Sequence, residues 1–582
     1  MQKGPEERRI RKFPILKILA IVLPVFLAGL IAIFYWIRKG AGPLPFPQWN
    51  DEAVYYEQVK MWLLEGVSKG YWGFNGEHAL LGTGGAWNPA ILFPYVIWGK
   101  IFGWHYYSMP LANTFFLCAA NAGFLFLTKA DRKLTVRLIV LECLSGNLIL
   151  YMNTGMSEVL RYGLALLLAG MLMRLYFSEN KNSLIFQILT GIYLLFLMQV
   201  YIFFAFAVPI YIFGVFKNRK IWKKCVLSFL TMAVTAGGSY VLLHLISSNY
   251  NIFKTEKLFS ALQQKNFAGA VVSFLWMAKV GIHDFLQCFL SSAGHGMFHW
   301  FVLFLTVLVL LPAVLLIRDR NRSGMRGRLE AEGKSGLSEK DKILLTLTVY
   351  SVFLFTGMYI TVYSLEAFTF YRGMGIVVLF SLSALCLLDN RIIFRCILGC
   401  YALGLFFVPG NMADFNQERY LSETARTQWT ELSREMNQTM KLETASDMIE
   451  LQKAATDEEG EISAEGDAGT DADGSASLPD VSFRDALRWR NTVVMYTLEP
   501  RLICSIPAGF GENYMMYSDK IVDQAGYLVF SKQKEGAVRQ DWLEQSFKKI
   551  YADHGSEINQ YYYLQYQDSH YIIYKHKVGG ID

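Results

Sequence analysis

The sequence is poor in the patterns that mark disulfide-stapled, redox or metal-binding proteins. Its eight cysteines are scattered across 582 residues, with no spacing that suggests zinc or a disulfide framework. Cys118, Cys143, Cys225, Cys386, Cys396 and Cys400 fall within or beside apolar runs and read as small buried hydrophobes. Only Cys288 and Cys504 are expected on the outer side of a membrane. His105, His283 and His295 lack ligand-like spacing and read as interfacial or loop histidines. No internal repeat is visible, which argues against the repeat-built architecture of secondary transporters. The first apolar run, Ile15 to Trp36, is longer than the core of a cleaved signal and no small-x-small site follows. It is expected to stay as a helix.

What is abundant is apolar sequence. Hydrophobic residues make up 53% of the chain, and runs such as Ile15 to Trp36, Phe301 to Ile317 and Leu344 to Val362 match the length of a bilayer crossing. The net charge of +6 sits in particular loops and so speaks to topology, not to nucleic acid. Arg8, Arg9, Arg11, Lys12 and Lys17 keep the N-terminus cytoplasmic. The first span leads to an external region, 40–107, with two amphipathic stretches, 51–66 and 89–103, around Gly82-Thr83-Gly84-Gly85. Both stretches read as interfacial helices.

Spans near 108–128 and 133–152 flank an inner loop with Lys129, Arg132 and Lys133, and a span at 158–176 returns the chain to Lys181. Residues 184–216 precede the cluster Lys217, Arg219, Lys220, Lys223 and Lys224, which stays inside only if two short helices turn between Gln199 and Pro209. A span at 225–246 exits to a long external segment, 247–298, carrying Asn251, Asn266, His283 and His295. Spans at 299–317, 342–363, 368–388 and 391–409 complete the set. Arg318 to Lys334, and Arg391 with Arg395, mark inner loops. The expectation is a polytopic all-α membrane protein of about 11 transmembrane helices, with everything after Pro409 outside.

Four regions follow: a membrane domain at 1–410, an external helical segment at 411–456, an acidic disordered insertion at 457–478, and a small external α/β or α+β domain at 479–582. Strand-like runs occur at Val493 to Thr497, Tyr527 to Phe530 and His570 to Tyr574, with a helix-like run at Asp541 to Tyr551. The aromatic run Tyr561 to Tyr574 fits sugar stacking or a half-buried sheet face equally.

Three external positions keep ionisable groups at membrane entry points: Asp51-Glu52, Glu158 with Arg161, and Glu366 with Arg372. Such charges are costly unless paired or facing an aqueous cleft, so they are candidates for function converging in one outer cavity. Each has a plainer explanation. Asp51 can cap an interfacial helix with Glu52 in its first turn. Glu158 and Arg161 can pair along one helix face, and Arg372 can snorkel into headgroups.

Trp49-Asn50-Asp51-Glu52-Ala53-Val54-Tyr55-Tyr56, after one span and at the start of a long external loop, resembles the polytopic glycosyltransferases of fold type C. Those enzymes use lipid-phosphate sugars. The nearest in layout are the protein O-mannosyltransferases and lipid A aminoarabinose transferases. Asn88-Pro89, Phe102-Gly103, Met109-Pro110-Leu111 and Glu158 also fall in family style, although Lys-Pro is common where this chain has Asn88-Pro89. The resemblance covers residues 15–215 well and the later spans only in layout.

The resemblance implies a polyprenyl-phosphate sugar donor, an extracytoplasmic acceptor and membrane lipids as partners, in a bacterial plasma membrane. Asp51 would be the general base, with Glu52 orienting it or the acceptor. Arg161 and Arg372 would meet the donor phosphate, while Glu158 and Glu366 would hold the acceptor or a divalent cation such as Mg or Mn. No cofactor is certain, because some relatives need a metal and others do not. A single displacement would invert the anomeric centre. Two rivals stay open: a lipid or polysaccharide flippase, and a non-enzymatic envelope protein that binds cell-wall polymer.

Overall fold

A computed structural model describes residues 5–66, 72–74, 89–178, 183–246, 256–290, 296–323, 337–363, 367–388, 391–405, 419–444, 446–447, 487, 489–496, 500–507, 509–514, 521, 524–531, 547–567 and 571–577. Expectations for Gly82 to Gly85, Asn88, Asn251, His295, Arg326 to Lys334, Glu366 and the acidic insertion 457–478 lie outside the described residues.

The chain begins α1 (Pro5–Lys39), α2 (Asn50–Glu65), β1 (Trp72–Phe74), α3 (Pro89–Phe102), α4 (Ser108–Leu127), α5 (Arg132–Leu144), α6 (Gly146–Tyr151) and α7 (Glu158–Phe177). It continues with α8 (Leu184–Val200), a 3-10 turn (Ile202–Phe206), α9 (Ala207–Val215), α10 (Ile221–Ile246), α11 (Glu256–Gln263), α12 (Phe267–Leu290) and α13 (Gly296–Ser323). Then come α14 (Glu339–Val362), α15 (Ala367–Leu385), α16 (Arg391–Leu405) and α17 (Glu423–Thr439). The last part holds β2 (Thr492–Met495), α18 (Pro500–Ser505), β3 (Gly511–Tyr514), β4 (Tyr527–Ser531), α19 (Phe547–Tyr561), β5 (Tyr562–Gln567) and β6 (Tyr571–His576). Two compact units result. One comprises Met1–Phe46, Tyr107–Val241 and Asn251–Leu421; the other comprises Pro47–Tyr106, Leu242–Tyr250 and Ser422–Asp582.

The first unit is the membrane bundle. Among the described residues six helical stretches are long and apolar enough to cross a bilayer: Ile15–Arg38, Ser108–Leu127, Glu158–Phe177, Phe267–Leu290, His299–Asn321 and Glu339–Val362. Their outward faces expose large side chains such as Ile18, Leu30, Phe126, Val314 and Phe353. Water would penalise that surface, whereas lipid accepts it. The protein is therefore a largely helical polytopic membrane protein.

Several expectations are refined here. Residues 184–216 do form two short helices, α8 and α9, broken at the extended residue Tyr201. The stretch 133–152 is not one continuous helix; it breaks at Ser145, whose hydroxyl accepts from Leu148 N at 3.4 Å to start α6. The segment 247–298, read as an external loop, contains the 24-residue apolar helix α12. Lys279, His283 and Asp284 dilute its apolar pattern in sequence. Gly281 lies directly against the Ile360 carbonyl near the end of α14, a close approach that only a residue without Cβ permits.

The basic junctions expected on one side do meet. Arg137 on α5 donates from Nη1 to the Cys386 and Leu388 carbonyls, both at 2.6 Å, just past the end of α15. A guanidinium there satisfies orphan carbonyls and complements the helix dipole. Inside the bundle Asn121 donates from Nδ2 to the Ala20 carbonyl and to Glu142 Oε2, both at 2.9 Å, which links α1, α4 and α5.

The second unit carries a six-stranded sheet in the order β1-β3-β2-β4-β6-β5. Strands β1, β3, β2 and β4 run parallel, and β4, β6 and β5 antiparallel. Central β2 is buried throughout, as expected of a parallel strand covered on both faces. Val494, Leu528, Phe530, Ile550, Ile558 and Ile572 form its core with the adjacent helix α19. Edge strand β1 comes from the first loop, pairing Trp72 with Glu512 and Phe74 with Tyr514. The loop that carries Asp51 thus groups with the C-terminal region. Within the aromatic run, Tyr562 is buried while Tyr563 and Leu564 are exposed on β5.

Candidate functional site

In the second unit, α2 begins at Asn50 after Trp49 in extended conformation. Glu52 therefore stands at the third helical position, from which its side chain reaches back. Its Oε2 accepts from Gln48 N at 2.8 Å and Trp49 N at 3.0 Å, and the residue is fully buried. This satisfies backbone donors at the helix start, the reciprocal half of a capping box. Glu52 is committed to the backbone. Asp51, beside it, is half-buried and sits in the first turn, where the dipole favours its negative charge.

Further along α2, Tyr56 stacks on Trp104 with centroids 5.6 Å apart, and Trp104 Nε1 donates to the Tyr56 carbonyl at 3.1 Å. Glu57 is buried and pairs with Lys60 at 3.0 Å, and Lys60 also donates to the Ile506 carbonyl at 2.7 Å. These contacts seat α2 on the start of the C-terminal sheet region. Gln58 is buried at 3% exposure, and its amide has no partner among the described residues. It lies seven residues after Asp51, hence on the same helix face. The sequence reading missed both Glu57 and Gln58, although the spacing of Gln58 from Asp51 was visible.

Burial pushes the Glu57 carboxyl up to about 7, with Lys60 pulling it the other way. The folded chain then holds this proton more tightly than the unfolded chain between the ordinary value of 4.5 and about 7. Stability from this group is full below that window and declines as pH rises through it. Glu57→Gln should flatten the decline, a difference on the order of 2–4 °C in thermal midpoint between acidic and neutral buffer. Parallel pH profiles for native and variant protein would count against the raised carboxyl.

In the membrane unit, the turn 152–157 places Glu158 at the start of α7. Asn153 adopts φ 64°, a left-handed conformation that asparagine tolerates. Its Nδ2 donates to the Ala28 carbonyl and to the Tyr420 hydroxyl, both at 2.8 Å. Asn113 Nδ2 donates to the Thr154 and Met156 carbonyls at 3.1 and 2.7 Å. The turn is thus fixed from two sides.

Glu158 is 1% exposed, and its Oε1 lies 3.6 Å from Arg161 Nη1. The same oxygen accepts from Arg372 Nε. Both arginines expected to meet phosphate therefore share one carboxylate, and the expected helix-face pair of Glu158 and Arg161 is present. Arg161 also lies over the Tyr201 ring, 4.6 Å from its centroid. Among the described residues two guanidiniums thus face the one carboxylate of Glu158, and guanidinium donors suit an oxyanion. A divalent cation fits poorly beside two guanidiniums. Among the described residues no three His, Cys, Asp or Glu side chains gather into a metal-holding group.

Tyr162 holds Arg372 from behind, its hydroxyl donating to the Arg372 carbonyl at 2.8 Å. A Cβ at Gly375 would strike the Tyr162 ring and hydroxyl. Gly375→Ala should therefore destabilise the protein by about 1–3 kcal/mol through overpacking. A thermal midpoint equal to that of native protein would show that the ring has room to move.

No protein-family model matches this sequence, and no curated protein matches it. Among the solved structures that show a partial likeness are two oligosaccharyltransferases. One is the Archaeoglobus fulgidus oligosaccharyltransferase in complex with Zn and sulfate, at 11% identity, with 95% of this chain and 73% of that chain covered and a TM-score of 0.41. The other is the archaeal oligosaccharyltransferase AglB from the same organism, in complex with an inhibitory peptide and a dolichol-phosphate. It is 12% identical, with 97% of this chain and 75% of that chain covered and a TM-score of 0.40. At these values the likeness assigns neither a family nor any residue's role.

Proposed function

We propose that the protein transfers a sugar from a polyprenyl-phosphate donor to an extracytoplasmic hydroxyl acceptor, on a lipid, a cell-wall polymer or a protein. The observation that carries this reading is the division of labour at Asp51-Glu52. Glu52 fixes the helix start, and Asp51 remains partly exposed on a fixed backbone just beyond the first membrane helix. Such a carboxylate suits general-base work, accepting the acceptor's proton as its oxygen attacks the anomeric carbon. The bond to the phosphate oxygen breaks in the same step, so the product is inverted.

Arg161 and Arg372 take the role of offsetting charge on the departing phosphate, for which guanidinium donors are suited. Glu158 takes the role of holding both arginines in place. Gln58, on the Asp51 face of α2, takes an acceptor-positioning role. No metal is assigned a step. The charge bias of the loops supports a location of Asp51 and the C-terminal sheet region outside the cell.

The test is label transfer from a panel of polyprenyl-phosphate sugars, using membranes with native protein or the Asp51→Asn variant. Label should leave the donor only with native protein. No consumption of any donor by well-expressed native protein would overturn the transferase reading and favour lipid flipping.

A further inference from the structure

The bundle holds a second cationic feature, formed by residues given no role above. The start of α5 and the start of α16 come together around a cavity of about 680 Å³. Arg132, Lys133, Arg137 and Arg395 line it, against one carboxylate, Asp131. Asp131 is turned to its own helix, where Oδ1 accepts from Leu134 N at 2.7 Å. Among the described lining residues cations thus outnumber carboxylates four to one.

The floor is built, not incidental. Arg137 is 6% exposed and is held by the Cys386 and Leu388 carbonyls and by the Phe394 ring, 4.7 Å from its centroid. Neutral carbonyls and a ring hold a guanidinium without cancelling its charge. Arg132 and Arg395 stand exposed at the rim, and among the described residues no carboxylate pairs with either. Val136 and Phe394 add an apolar wall. The cavity lies at the end of the bundle where the basic loops meet, which the positive-inside bias keeps cytoplasmic.

We propose that this cavity binds the phosphate of an anionic phospholipid headgroup from the cytoplasmic leaflet. Cationic pockets between helices on this side suit such headgroups, and the apolar wall matches the glycerol and upper chain that accompany the phosphate. A free phosphate shares the charge but has no use for Val136 and Phe394.

The experiment uses full-length protein, delipidated in detergent and offered phosphatidylglycerol or phosphatidylcholine, with retained lipid counted by native mass spectrometry. Native protein should retain phosphatidylglycerol in preference. R132A/R395A should bind it about thirtyfold more weakly, from the loss of two headgroup-facing charges. Both residues are exposed, so the variant should keep the native circular dichroism and elution volume. Equal retention of both lipids by native protein, or undiminished phosphatidylglycerol retention by the folded variant, would overturn the proposal. So would full displacement of the lipid by millimolar inorganic phosphate, which would reassign the cavity to the free anion.

Discussion

Replacing Asp51 with Asn should lower sugar transfer about 10²–10⁴-fold, the usual contribution of a general base, while leaving the fold unchanged. The substitution preserves shape, and Asp51 is half-buried, not part of the closed core. Its neighbour makes the control. Glu52 receives the Gln48 and Trp49 amides, so Glu52→Gln weakens a charge-assisted cap and should cost about 0.5–2 kcal/mol of stability. Per folded molecule, that variant should transfer sugar far better than Asp51→Asn. Initial rates with donor in excess, normalised to protein that elutes as a folded species, separate the two. Retained transfer by Asp51→Asn, or equal loss at both positions, would remove Asp51 from the base role.

That contrast was only partly legible in the sequence. The Asp-Glu pair stood out because it follows a membrane helix, but the reading gave any capping to Asp51. Trp49 is no ordinary cap residue, so the helix start at Asn50 was hidden, and with it the third position that lets Glu52 reach back. The long apolar runs disclosed α1, α4, α7, α13 and α14, because lipid demands unbroken hydrophobic length. Helix α12 escaped because its polar residues broke that signal.

The sheet follows the same logic. Strands β2, β4 and β6 show as apolar runs, being central and buried. β1 is three residues long and owes its existence to parallel pairing with β3. Nothing local in Trp72 to Phe74 specifies that partner. Long-range pairing of this kind is set by the fold, so the grouping of the first loop with the C-terminal region could not be read from composition or period. The arginine–glutamate trio was half visible. The three-residue spacing of Glu158 and Arg161 suggested a pair, whereas Arg372 joins it only through the packing of α15 on α7.

The second large effect belongs to that trio. Glu158→Gln should destabilise the protein by about 3–5 kcal/mol, the usual cost of breaking a buried ion pair from one side. Glu158 is 1% exposed and is shared by two guanidiniums, so its loss leaves two like charges close together where water screens them poorly. Gln keeps an acceptor oxygen but no charge. Removing one arginine as well, as Glu158→Gln with Arg372→Gln, restores the sum of charges on the three side chains. That double variant should recover part of the loss, with a coupling of about 0.5–3 kcal/mol in a double-mutant cycle. Arg161 has the Tyr201 ring beneath it in the native protein, a contact that neither substitution removes directly. Unfolding midpoints in detergent give the cycle, and donor kinetics on the folded fraction give the function. A purely structural trio would change the midpoints and leave kcat/KM per folded molecule at its native value. A trio that also stabilises the leaving phosphate would lose kcat/KM in Arg372→Gln beyond anything the midpoint explains. Additive midpoints, with no recovery in the double variant, would mean that Glu158 and Arg372 do not act as a pair.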